Sequence, residues 1–461
     1  MQATERMSHR AACAALLAFL LVAPGSRPCH AAGLPRIEGA ITMEQAVDLA
    51  VRHNLKIRVT AADAQAMESM RREALAPFWP QVSANGYFAD QRMAPNVYGS
   101  AGTTMARNSQ VFNADQTRDA NVTGMYALFS GGRDWYGYQA ATRRAEAGRS
   151  MVRASEVDAA MQARLDYIAA LRESENARVA ADLLRAIEER LRVTRQAYEA
   201  GRVPRYYLLR DEAEQANAIQ MLAMARSRTE QAVVALKATL GVELGSPITL
   251  TDTLEVAPIT LSVEEAIREA AARHPEIQAA AKQRGAAASD IRAAYGSYFP
   301  QVAVSYMYDW GVMRNRAWES QADAMRSRSD SAEGYSVGVV VTLPLFDGFM
   351  RENALKTAKA KHERAAQTEA LVRQQIARDV TQAALMLGAA EQSVRASGKG
   401  LEKAEEEYRV VKERFASGRG IQLEILDSEV ALTRARLNVV NALADHATAV
   451  AMWRRANGEV R

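Results

Sequence analysis

The side chains able to do chemistry form no pattern that would do it. Six histidines stand at positions 9, 30, 53, 274, 362 and 446, scattered along the chain. There is no paired-histidine metalloprotease motif, no nucleophile elbow and no glycine-rich phosphate loop. His53 and His274 fall near expected helix ends, where an imidazole caps the helix or meets solvent. Both cysteines, Cys13 and Cys29, lie at the extreme N-terminus. Ser26-Arg27-Pro28 before Cys29 lacks the leucine and small residues of a lipid-attachment signal. The sequence therefore predicts no catalytic centre, metal or cofactor, and the elements themselves must carry the function.

Arg6 and Arg10 precede an apolar run, Ala11–Ala23, followed by a small-residue stretch ending at Ala32. That run is too short for a bilayer, which takes ~20 residues, and the three features together read as a signal peptide over residues 1–32. No later run is long enough to span as a helix. An exported chain of this kind enters lipid only as a closed barrel. The net charge of +4 is small, and acids and bases alternate along helical stretches. This excludes a nucleic-acid-binding surface and indicates solvated helix faces.

The chain is written twice. Thr42-Met-Glu-Gln-Ala-Val47 corresponds to Ser262-Val-Glu-Glu-Ala-Ile267, both capping-box sequences. Phe78-Trp-Pro-Gln-Val82 corresponds to Tyr298-Phe-Pro-Gln-Val302, at the same offset of 220 that relates Pro80 to Pro300. Leu128-Phe-Ser-Gly131 meets Leu345-Phe-Asp-Gly348, and Tyr198-Glu-Ala-Gly-Arg202 meets Phe415-Ala-Ser-Gly-Arg419. These later pairs share an offset of 217, from Gly201 to Gly418. Fixed-offset self-similarity marks repeated architecture. The reading is one unit at 33–241, a linker at 242–260 and a second unit at 261–461.

Each unit is expected to run helix, two strands, long helix, helix. In the first, helices at 42–78, 138–201 and 204–240 enclose strands at 81–90 and 117–128. In the second, helices at 262–298, 350–417 and 421–457 enclose strands at 301–310 and 335–345. The leading helices stop before Pro80 and Pro300, because proline disfavours helix in the residue before it. Val302, Val304, Tyr306, Tyr308 and Trp310 alternate with smaller or polar residues, as suits a strand with one face in lipid and one in water. Long polar loops are expected at 91–116 and 311–334. Leu387, Val394, Leu401, Tyr408 and Phe415 recur every seven residues, a coiled-coil seam on a rod of roughly 95 Å. Four strands cannot close a barrel, which takes about eight in the smallest examples, so copies must join their edges around an axis.

With these motifs in place, the chain resembles the TolC-like outer-membrane efflux and secretion channels over nearly its whole length. The resemblance rests on the duplication, the aromatic-Pro-Gln starts of the first strands, the Leu-Phe-Asp/Ser-Gly exits and the Tyr/Phe-x-x-Gly-Arg helix corners. It implies a mixed α/β membrane protein in which three chains build a 12-stranded β-barrel continued by a long α-helical barrel. It implies an outer-membrane location with a periplasmic extension. Its partners would be a periplasmic adaptor and an inner-membrane ABC or RND transporter. An acidic constriction would fall at Glu424 and Asp427, six and nine residues after Gly418. The tips and adaptor-docking surface would include Gly201, Arg202, Tyr207, Gly418 and Arg419. Tyr207 stands where a carboxylate would match the second corner, so the closing pairs are left open among Arg202, Arg205, Arg210 and Arg419. Trp135, Tyr136, Tyr138 and Phe349, just past the strand exits, read as a membrane-interface belt. A periplasmic coiled-coil adaptor is the competing reading; it would need neither duplication nor lipid-facing strand pairs.

Overall fold

A computed structural model of the chain describes residues 34–90, 116–256, 262–314, 330–417 and 419–460. The expected signal peptide at 1–32, Gly418 and most of the two expected loops lie outside them. A short strand, β1 (Gly39–Ile41), leads into α1 (Met43–His53). The capping box forms there. Thr42 Oγ1 accepts from the Gln45 amide at 3.3 Å, and the Gln45 side chain accepts from the Thr42 amide at 3.0 Å. The matching box at Ser262 does not form: its hydroxyl makes no cap bond, and its ψ is 93° against 163° at Thr42.

The leading helices, expected to be continuous over 42–78 and 262–298, are each broken. α1 stops at His53, and α2 (Leu55–Glu73) restarts after Asn54, followed by a 3-10 turn at Ala76–Phe78. In the second half α5 (Val263–Arg273) stops and α6 (Pro275–Gly296) restarts after His274. The causes are local. Asn54 Oδ1 accepts from the Lys56 amide at 2.8 Å, so it caps a new helix. His274 precedes Pro275, which forces it out of the helical region, to ψ 126°.

The strands β2 (Gln81–Asp90), β3 (Gln116–Phe129), β5 (Gln301–Arg314) and β6 (Asp330–Thr342) form one antiparallel sheet in the order β2-β3-β5-β6. β5 runs past the expected end at Trp310, because hydrogen-bonded partners on both sides, β3 and β6, continue its ladder. β6 ends at Thr342 rather than 345, ahead of Pro344, whose ring nitrogen cannot donate to a ladder. One face of the sheet is apolar and exposed, with Val82, Tyr335, Val337, Val339 and Val341 all more than 60% accessible. The other carries paired polar side chains, Ser83 with Thr123 at 2.6 Å and Asn85 with Asn121 at 2.9 Å. Among the described residues β2 and β6 are each paired on one side only.

From this sheet the helices run in one direction. α3 (Arg133–Glu199) and α7 (Met350–Ala416) each have 67 residues, about 100 Å. The shorter helices α4 (Arg205–Leu240) and α8 (Gln422–Ala456) return beside them. Nearest the sheet α2, α3, α6 and α7 lie abreast; farther away α4, α3, α8 and α7 do so. α2 and α4 meet end to end where Asn54 Nδ2 donates to the Thr239 carbonyl at 2.8 Å. The seams are alanine-rich on α3 (Ala140, Ala145, Ala147, Ala159, Ala160 and Ala163 are buried), which favours helix and lets neighbouring backbones approach closely.

The main core sits at mid-height. The expected linker is partly a strand there: β4 (Ile248–Leu250) pairs in parallel with β1. Both pack on Tyr167, Leu171, Leu236, Leu240 and Val242. Burying such side chains contributes about 1.5–3 kcal/mol each, against little at the half-exposed tips. Tyr167 ties the parts together, its hydroxyl donating to the Ile41 carbonyl at 2.8 Å.

Candidate functional site

Both helix tips end in the same hydrogen-bonded corner. At the first, Gly201 lies at φ +69°; its amide donates to Tyr198 at 2.9 Å and the Arg202 amide to Ala197 at 2.8 Å. At the second, the Arg419 amide donates to Arg414 at 2.9 Å. This is the Schellman geometry, in which a left-handed residue lets the chain reverse and satisfies the last carbonyls. Arg202, Arg205, Arg210 and Arg419 are exposed on this end. Tyr207 is half-buried and stacks on Tyr206, with centroids 4.5 Å apart.

Glu424 and Asp427 begin α8, three residues apart and hence on one face. Asp427 is exposed and Glu424 half-buried, with one carboxylate oxygen shielded and unpaired. Behind them lies a cluster that sequence reasoning missed. Arg190 on α3 bonds Asp211 on α4 at 3.0 Å and also Glu429 on α8. Thr194 and Gln422 donate to Asp211 at 2.7 and 3.1 Å. Asp211 is fully buried, while Arg190 and Glu429 are 9% exposed. One guanidinium thus clasps α8 to the hairpin of the first half, one turn behind the expected constriction. None of the four exposed arginines takes part. No sequence signal marked Arg190, because its role depends on three helices from both halves meeting there.

A second node lies at mid-height. Arg455 bonds Asp158 at 2.9 Å, Asp379 at 3.1 Å and Glu276 at 3.5 Å, joining α8 to α3, α7 and α6. Burial pushes the Glu276 carboxyl above its usual range; Arg455 pulls it back, and Asp158 and Asp379 push with burial. Alongside runs a trough of about 1380 Å³, lined by Lys56, Met67, Met151, Lys361 and Arg364 among others. It opens on the side of α3 opposite the core residues Ala160, Ala163 and Tyr167.

At the sheet end, Trp135 and Phe349 are exposed, and Tyr136 and Tyr138 are half-buried. Tyr138 packs edge-on against Phe78 at 6.4 Å and accepts from Arg71 at 3.1 Å. Among the described residues no three His, Cys, Asp or Glu side chains converge as a metal site. No described helix is long and apolar enough to cross a membrane.

Residues 266–459 match the family model described as outer membrane efflux protein. The match covers the second half, from α5 to the last turn after α8. Among curated relatives, Protein CyaE of Bordetella pertussis is 28% identical over 70% of this chain. That alignment spans 64% of CyaE, less than two thirds of its length. Outer membrane efflux protein BepC of Brucella suis is 24% identical over 91% of this chain and 85% of its own. The fold is also that of the CmeC outer membrane channel of Campylobacter jejuni. The TM-score is 0.77 at 13% identity, covering 90% of this chain and 85% of CmeC.

Proposed function

We propose that three copies of this chain assemble into a passive outer-membrane duct, the exit of a tripartite efflux or type I secretion system. The observation that carries this reading is the four-stranded sheet with one apolar face and, among the described residues, two edges without a partner strand, continuous with four helices abreast over about 100 Å. Joining β6 of one copy to β2 of the next satisfies those edges, and three copies give a 12-stranded barrel and a helical tunnel of the same symmetry. The apolar strand face meets lipid, and Trp135, Tyr136, Tyr138 and Phe349 sit at its inner boundary.

In this reading the chain is an internal duplication, with units at 33–241 and 261–461 joined by 242–260, and residues 1–32 are the export signal. The trough becomes tunnel wall. The periplasmic tips carry the gate, where six carboxylates, Glu424 and Asp427 from each copy, surround the axis and favour cations. The Arg190–Asp211–Glu429 clasp holds α8 inward. The corners at Gly201, Arg202, Tyr207, Gly418 and Arg419 present the surface for a periplasmic adaptor linked to an inner-membrane ABC or RND transporter. Energy comes from that transporter, and no bond is made or broken here.

Single-channel recording in a planar bilayer tests the gate, comparing the wild type with Glu424→Ala/Asp427→Ala. The expected result is a cation-selective pore that loses selectivity in the variant. An unchanged pore would remove the acidic constriction, and failure of a folded protein to insert at all would remove the duct.

A further inference from the structure

The two breaks in the leading helices are built from different chemistry. At the first, Asn54 uses both ends of its amide: Oδ1 accepts from the Lys56 amide and Nδ2 donates to Thr239 at the end of α4. At the second, His274 holds the same place. Its Nδ1 accepts from the Glu276 amide at 3.3 Å, which requires that nitrogen to be unprotonated. The ring is 1% exposed, and Nε2 is buried against the Arg455 main chain without a well-formed hydrogen bond. A methyl group at Gly458 would stand 3.3 Å from the ring, so the pocket is tight.

We infer that the α5–α6 joint is an acid-sensitive joint, in which protonation of His274 at Nδ1 removes the cap acceptor of α6 and loosens the second half alone. The matching cap at Asn54 is an amide that does not titrate, and the neighbouring His53 takes no part in that cap bond. The groups facing His274 are Arg455 on α8, Asp158 on α3 and Asp379 on α7, with Glu276 on its own helix. Burial is the main cause holding the imidazole below its ordinary pKa; the Arg455 main chain opposes it, the Arg455 charge acts with it, and Asp158 and Asp379 oppose it. The unfolded or opened segment therefore binds a proton that the closed joint refuses. Stability of the joint is complete above about pH 6.5 and falls as the pH drops through the histidine range. Glu276 works the other way. Its raised pKa means that the closed joint takes up a proton more readily than the open one, so its titration tightens the joint in acid. The sign of the acid response thus separates the two groups.

The consequence is a pH response confined to one joint, beside the Arg455 node that ties both halves together. It does not depend on the assembly proposed above, and it is read without any measurement of transport. The test is hydrogen exchange of the full-length protein in detergent at pH 7.5 and 5.5, corrected for intrinsic exchange. Peptides covering 263–296 are compared with those covering 43–73. The expected result is faster exchange at the α6 N-terminus in acid, by up to roughly tenfold because pH 5.5 lies about one unit below the ordinary imidazole pKa, with no change at the Asn54 joint. His274→Asn, which installs the side chain of the first joint, should abolish the acid response. Equal responses at both joints, or loosening in acid that persists in H274N, would overturn the inference. If H274N does not fold, the comparison of the two joints in the wild type still decides.

Discussion

The two halves share an order of elements and differ in how those elements are fastened. In the second half Arg455 gathers Asp379 and Glu276 and reaches Asp158 across the boundary between halves. The matching positions of the first half are Ala238, Gln162 and Lys56, which build no such node. Likewise Asp211 sits in a buried clasp, while its counterpart is Ser428. Charge has thus been concentrated at the seam inside a chain. In the proposed ring the corresponding seam lies between chains: at the node it has neutral side chains and a lysine, and at the clasp Arg190 and Glu429 are matched by two acids, Glu407 and Glu212, so no cation stands in the place of Arg190. In that proposed ring each subunit is fastened internally by ion pairs, and the contacts between subunits are the freer ones to slide.

Breaking the clasp is expected to have the largest effect. Arg190→Ala leaves the buried Asp211 and Glu429 carboxylates without a cation, a loss of about 3–5 kcal/mol. It should appear as a lower melting temperature in detergent and as more frequent opening in bilayer recordings. An unchanged melting temperature would show that the clasp does not fasten α8. Next is Arg455→Met, with an expected loss of about 1.5–3 kcal/mol at pH 8. Without Arg455, burial and the neighbouring acids raise the Glu276 carboxyl further. A carboxyl raised in the folded state costs stability as the pH rises through its folded pKa, so the deficit should shrink when melting is measured at pH 5. A deficit that is the same at both pH values would contradict the node.

The mid-height tie between β1 and α3 is tested by Tyr167→Phe. It strips a buried donor from the Ile41 carbonyl and should cost about 1–2 kcal/mol by thermal melting. The smallest effect sharpens the comparison directly. Phe349 is at φ +67° where its counterpart Gly132 is at +82°. A left-handed non-glycine residue costs about 1–2 kcal/mol. Gly132→Ala should therefore destabilise by about that amount, whereas Phe349→Gly should be neutral or stabilising, because the ring is largely exposed. Equal losses in both would mean that the Phe349 ring, packed edge-on against Phe346 at 5.7 Å, contributes more than the strain it costs.

What the sequence disclosed followed the range of the interaction. The Thr42–Gln45 box is legible because both partners lie within one turn. The stop before Pro80 and Pro300 is legible because proline acts on its neighbour. His274 reads as lying near a helix end, but neither the break before Pro275 nor its burial against Arg455 and Gly458 was legible, because the helix was expected to run on to 298. The break at Asn54 was hidden because an asparagine on a helical pattern reads equally well as a surface residue. The clasp was hidden for a stronger reason: Arg190, Asp211 and Glu429 look like three of many charges on helix faces until α3, α4 and α8 are laid side by side. β4 was missed because its partner β1 lies some two hundred residues away, at a separation where pattern carries no pairing information.

The proposed closed ring, of which this chain is one third, is open to test by the mass of the intact assembly. Native mass spectrometry of the detergent-purified protein, with the β2 and β6 edges challenged by a cysteine pair at Val82→Cys and Val341→Cys, is the measurement. The expected result is a particle of three chains that oxidation links through neighbouring copies. A stable monomer with no cross-link between copies would contradict it.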